Sequence, residues 1–199
     1  MKKKVDCLEL NLSQSKSDFR SEILSRISGL SRQQKQTYSE SIQQNLKMLL
    51  ASKNNLWTGF KALRDEPQIN WLEVSPAISW CFPRVEANEL KFAQAARQWT
   101  PSSLGVLEPQ DGVDVRLSVI EGFIIPGVAF SRRGVRLGRG KGFYDRTLFG
   151  SKALKVGVCF EVSFCENLPH EEHDVCCDVI VTEKQVYKVV SSKGEIKWS

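Results

Sequence analysis

The sequence contains no C-x-x-C pair, although six cysteines (Cys7, Cys81, Cys159, Cys165, Cys176 and Cys177) are spread over its 199 residues. That spacing argues against a thiolate metal site, and the position of several thiols inside apolar runs predicts cysteines that are reduced, buried and structural. Apolar runs long enough to cross a bilayer are also missing. The basic start Met1-Lys2-Lys3-Lys4 is interrupted by Asp6, Glu9 and Asn11 where a signal peptide would carry its apolar core. No membrane partner is therefore expected, and a cytoplasmic location is. Internal repeats and low-complexity tracts are absent, and no serine, histidine and acid set is legible. The two histidines, His170 and His173, have H-x-x-H spacing but no helical pattern to present them, which argues against zinc.

What remains is an ordinary globular composition, 41% apolar and 26% charged, long enough for one full core. A single domain over 1–199 is expected, with 190–199 as a terminal extension. The 28 basic and 23 acidic residues leave a net charge of +5, which suits anionic small molecules as well as weak nucleic-acid contact.

Apolar spacing predicts a helix over 13–28 through Phe19, Ile23, Leu24 and Ile27. A second helix opens at Ser31, where Gln34 completes a capping-box pattern. Short apolar or β-rich runs follow at 56–63, 78–82, 90–95, 119–125, 154–160 and 179–182, with helical stretches near 67–75 and 142–150. Strands alternating with helices predict an α/β fold, a three-layer open sandwich around a mostly parallel sheet. Segment 97–118, punctuated by Pro101, Gly105, Pro109 and Gly112, is expected to be a long surface connection.

The stretch richest in chemistry runs from Pro126-Gly127-Val128-Ala129-Phe130 to Arg136-Leu137-Gly138-Arg139-Gly140-Lys141-Gly142-Phe143-Tyr144-Asp145. Glycines at alternate positions let the backbone approach a ligand, while Arg136, Arg139 and Lys141 supply positive charge on the same loop. A strand, a glycine loop and a helix start would together favour a polyphosphate. The spacing fits neither a Walker A loop nor a dinucleotide fingerprint, and a solvated basic turn is the plainer alternative. Lys16 and Arg20, four apart, could reach a ligand from one helix face, although a solvated face has the same spacing. Asp65-Glu66 follows the first predicted strand, at the sheet edge where open α/β folds place ligands. Between His170 and Asp174 a carboxylate could share a hard ion with Asp145, phosphate oxygens completing its shell.

In order along most of the chain, these residues resemble the 5-formyltetrahydrofolate cyclo-ligase family, also called 5,10-methenyltetrahydrofolate synthetases. The most specific likeness is the 126–145 motif. Phe82-Pro83, Leu107-Glu108-Pro109, and Leu168-Pro169 through Asp174 into Val181-Thr182 add to it. The resemblance implies ATP- and Mg²⁺-dependent conversion of 5-formyltetrahydrofolate to 5,10-methenyltetrahydrofolate, with ADP and phosphate released. It implies ATP contacts from Lys16, Arg20 and residues Arg136, Leu137, Gly138, Arg139, Gly140, Lys141, Gly142, Phe143 and Tyr144, with Arg139 and Lys141 as catalytic groups nearest the transferring phosphate. For folate it implies Arg20, Lys61, Glu66, Phe143 and Tyr144. For magnesium it implies Asp145 and Asp174, with Asp178 competing for the second place. Ser131 departs from the family's usual Asp, as does Glu66-Pro67-Gln68-Ile69 from a more acidic, Thr-containing stretch. The expected protein is a monomer acting on a small-molecule folate, without a nucleic-acid partner. The alternative is a catalytically silent relative of the same fold that binds nucleotide or RNA.

Overall fold

Serine caps start both long helices of the computed structural model, which describes residues 15–102 and 105–189. In α1 (Lys16–Ser28) the Ser15 hydroxyl accepts the Asp18 N–H while the Asp18 carboxylate accepts the Ser15 N–H. In α2 (Arg32–Leu49) Ser31 and Gln34 exchange the same pair of bonds. The second box matches expectation. The first sets the start of α1 at Lys16 and leaves Ser13 outside the described residues, together with Cys7, the basic start and the extension after 190.

The chain then enters β1 (Leu56–Thr58), shorter than the apolar run 56–63 suggests. The strand stops at Gly59, and Phe60 to Pro67 leave the sheet as a loop. A one-turn helix α3 (Trp71–Val74) leads to β2 (Ser79–Glu86), which hairpins into β3 (Glu89–Gln94). The stretch expected to be a plain connection carries three short strands, β4 (Trp99–Pro101), β5 (Leu107–Pro109) and β6 (Val113–Val115). The first two form their own hairpin and β6 pairs with β3, so backbone pairing, which leaves little trace in a polar sequence, orders this segment.

Next come β7 (Gly122–Pro126), the hairpin strands β8 (Ala129–Ser131) and β9 (Arg136–Leu137), the short helix α4 (Phe143–Leu148) and β10 (Leu154–Val158). The last of the described strands are β11 (Phe164–Cys165), β12 (Val179–Val181) and β13 (Val186–Lys188). The main sheet has the order β13-β12-β10-β7-β1-β2-β3-β6. The five central strands run parallel and the outer ones antiparallel, giving a mostly parallel sheet. A small sheet, β11-β8-β9, continues beyond the carboxyl ends of β7 and β10.

Burial on both faces explains why the central strands read as unbroken apolar runs. On β7, Ile124 packs with Phe19, Ile23, Ile42 and Leu46 of the two long helices, whereas Phe123 and Ile125 pack with Leu148 of α4 and with Leu90 and Phe92 of β3. The sheet lies between these layers. Cys81, Cys159, Cys165 and Cys177 are buried as expected; Cys176 is a correction, being exposed at the end of the 170–176 loop. Among the described residues no helix is long and apolar enough to cross a membrane.

Sheet order also positions the site. From β1 the chain moves to β2 on one side, and it later returns through β7 on the other. The loops leaving β1 and β7 therefore diverge, opening a crevice at the carboxyl edge, the usual ligand position in open α/β sheets.

Candidate active site

Two cavities meet at the glycine loop. The first, about 680 Å³, is lined by charge: Lys16, Arg20, Arg136 and Arg146 face Glu89, Asp145, Glu171 and Asp174, with Gly138, Gly140 and Gly142 between. The second, about 230 Å³, is mostly apolar, with Phe60, Pro83, Val85, Leu90, Phe143 and Tyr144 on its walls. Its polar groups are Lys61, Glu66, Glu108, Arg136, Arg139 and Lys141. Arg136, Gly138 and Gly142 line both and form the shared wall.

The glycine loop does not leave a buried strand directly, as its sequence suggests. The β8–β9 hairpin intervenes, turning at Ser131, whose hydroxyl accepts the Val135 N–H at 3.2 Å, while its N–H donates to the Val135 carbonyl and its carbonyl accepts the Gly134 N–H. The Ser131 hydroxyl thus supplies the acceptor that the turn uses. Gly140 and Gly142 have φ of +89° and +67°, values that a side chain would strain, and Gly142 starts α4.

Arg136 holds the wall. Its Nε donates to the Pro126 carbonyl at 2.9 Å, Nη1 lies 3.5 Å from Asp145 Oδ1, and the guanidinium sits 4.8 Å from the Tyr144 ring centre. Burial pushes the Tyr144 phenol well up, against the pull of Arg136. Leu137 is a core residue, buried with the helical layer. Arg20 Nε donates to the Gly138 carbonyl at 2.7 Å and ties α1 to the loop.

Lys16 Nζ lies 2.6 Å from Asp174 Oδ2 and 3.0 Å from Glu171 Oε1. Burial would lower its pKa, but the two carboxylates outweigh burial and hold the ammonium above its ordinary value. Burial opposes the Asp174 charge as well, yet Lys16 and the Glu171 N–H keep that carboxyl below its usual range. Asp145 Oδ1 accepts the Val175 N–H at 3.1 Å. Asp178, the competing carboxylate, faces neither cavity: it accepts the Lys155 N–H at 2.8 Å and joins β12 to β10. Among the described residues no three acidic, cysteine or histidine side chains converge as a metal cage. The hard-oxygen carboxylates Asp145 and Asp174, on a cavity lined by both signs of charge, instead suit an ion that takes its remaining ligands from phosphate and water.

In the second cavity Glu66 is 7% exposed. Burial raises its pKa, while the Leu63 N–H at 2.9 Å and Arg139 pull it back. Arg139 binds Glu66 and Asp65, so Arg139 and Lys141 line this side of the wall and not the first cavity. Lys61 lies 4.5 Å from the Trp99 ring centre and 5.2 Å from that of Phe82. Sequence reasoning missed Arg146, Val85 and Leu90 as lining residues. It noted Pro83 and Glu108 only as parts of motifs, although both line the second cavity; Glu108 accepts the Val85 N–H at 3.2 Å.

A profile of the 5-formyltetrahydrofolate cyclo-ligase family matches residues 12–183. The chain belongs to the 5-formyltetrahydrofolate cyclo-ligase family. The Escherichia coli (strain K12) 5-formyltetrahydrofolate cyclo-ligase is 40% identical over 92 residues, covering 43% of this chain and 50% of that protein. The mitochondrial cyclo-ligase of Arabidopsis thaliana is 33% identical over 115 residues, covering 47% and 42%. These matches span about half the length of the curated relatives. Among solved structures, Aquifex aeolicus 5,10-methenyltetrahydrofolate synthetase aligns with a TM-score of 0.75 at 30% identity, covering 92% of this chain and 96% of that one. The Mycoplasma pneumoniae synthetase aligns at 0.71 and 23% identity over 85% and 99%, a likeness of fold.

Proposed function

We propose that this family member converts 5-formyltetrahydrofolate and ATP to 5,10-methenyltetrahydrofolate, ADP and phosphate. The observation that carries the proposal is the pair of cavities joined at one glycine wall, a charged one sized for a nucleotide's phosphates and an apolar one with a buried carboxylate suited to a pterin. The formyl oxygen is a poor leaving group. It attacks the γ-phosphorus, the bond to the ADP oxygen breaks, and the folate carries a phosphorylated imidate. N10 then attacks the activated carbon, loses its proton, and the carbon–oxygen bond breaks as phosphate departs.

In this reading Lys16, Arg20 and the wall hold the phosphates, and Glu66 accepts hydrogen bonds from the pterin. Phe143 and Tyr144 give the ring apolar walls, while Lys61 borders the pocket toward Trp99. Asp145 and Asp174 would hold a magnesium ion, which offsets phosphate charge when bound. Arg139 and Lys141 offset charge developing on the transferring group.

The test is absorbance in the methenyl-folate band after mixing protein, MgATP and 5-formyltetrahydrofolate. Product should grow only with ATP, and Lys141→Ala should lower turnover by about 10²-fold, the usual loss of one preorganised electrostatic contact. Absence of product with folded wild-type protein would reject the function, and an unimpaired Lys141→Ala variant would reject the role of Lys141.

A further inference from the structure

Arg139 lies on one side of the shared wall, and the phosphates of the proposed reaction enter from the other. Its Nη2 is 2.7 Å from Asp65 Oδ1 and 3.1 Å from Glu66 Oε1, with Nε 3.3 Å from that same Glu66 oxygen. The second Glu66 oxygen accepts the Leu63 N–H. Both oxygens of this buried carboxylate are therefore engaged by the protein. Oε1 already accepts two N–H groups from Arg139, so a ligand that offers an N–H donor to that oxygen must displace Arg139 from it.

Resting on the proposed function, we infer that Arg139 is a ligand-released switch: Asp65 and Glu66 park its guanidinium in the second cavity, and pterin binding to Glu66 frees it to reach the phosphates across the glycine wall. Asp65 is the positioning residue. It lines neither of the two cavities, so its side chain acts on them through Arg139. Arg139 stands between Gly138 and Gly140, so neither residue flanking it in the chain carries a side chain, and the Gly140 φ of +89° lies in a region open mainly to glycine. Burial of Glu66 adds a constraint: the carboxylate loses its charge partner when Arg139 leaves unless a donor replaces it, so release follows ligand binding. The consequence is positive coupling between folate and nucleotide, which holds ATP turnover back until folate is in place.

The coupling is measurable by calorimetry with the magnesium complex of a non-hydrolysable ATP analogue, titrated with and without saturating 5-formyltetrahydrofolate. Wild-type protein should bind the analogue about 10-fold more tightly with folate, within the usual range of coupling between sites. Asp65→Asn should bind the analogue several-fold more tightly without folate, reducing the coupling to less than about 3-fold, and Asp65→Ser should do the same. Asp65→Glu should restore the wild-type coupling. Asp114→Asn, which removes a surface charge paired with Arg84, controls for net charge and should leave the coupling unchanged. Wild-type protein without coupling, or Asp65→Asn and Asp65→Ser variants that keep it in full, would overturn the switch. Either result could occur in a protein that still makes methenyl product, so loss of the switch is distinguishable from loss of the function.

Discussion

At the scale of single residues, Glu66 sets a conflict between stability and function. Burial is the largest influence on its carboxyl and raises its pKa above the ordinary 4.5 despite Arg139 and the Leu63 N–H. A carboxyl raised in the folded state binds its proton more tightly there than in the unfolded chain. Its stabilising contribution is therefore full below 4.5 and is lost as pH rises through the folded value. Glu66→Gln is neutral at every pH. Its melting temperature should gain on wild type as pH rises from 4.5 to neutrality, while turnover falls because the pterin loses its charged acceptor. A gap in melting temperature that moves the opposite way would show that Arg139 outweighs burial. Glu66 was legible in the sequence by its place after the first strand. Its partnership with Arg139, 73 positions away, was not, because a long-range ion pair leaves no local pattern.

Among elements, β1 and β7 border the crevice, and their contact depends on one glycine. A Cβ at Gly122 would lie 2.2–2.4 Å from three carbons of the Trp57 indole ring. Trp57 is fully buried, so the ring cannot turn away without opening the helical layer. Gly122→Ala should cost about 1–3 kcal/mol as an overpacked core does. Chemical denaturation checks this, and an unshifted midpoint would contradict the packing described. Elements with strong periodicity were readable: α1, α2 and the apolar strands β7, β10 and β12 fall where their spacing predicts. Three were not. The β8–β9 hairpin hid within a motif read as one loop, β4 to β6 hid in polar sequence, and the end of β1 was obscured by apolar residues that line the cavity. In each case backbone pairing or cavity-facing apolar surface replaced the burial pattern on which sequence reading depends.

For the whole molecule, the sheet topology explains why one chain can hold two chemically different cavities side by side. The reversal between β1 and β7 opens the crevice, and the glycine loop divides it into a charged chamber and an apolar one. The motif 136–145 could be read from sequence as a phosphate loop. That its alternate residues face different chambers required the fold, because Gly140 reaches the first and Arg139 and Lys141 the second. In the proposed reaction, phosphoryl transfer crosses this wall to the formyl oxygen. It is tested most directly by 5-formyltetrahydrofolate labelled with ¹⁸O in the formyl group, turned over once with unlabelled MgATP, with the released phosphate analysed by mass spectrometry. Transfer across the wall predicts one ¹⁸O atom in each phosphate, and unlabelled phosphate accompanying methenyl product would contradict it.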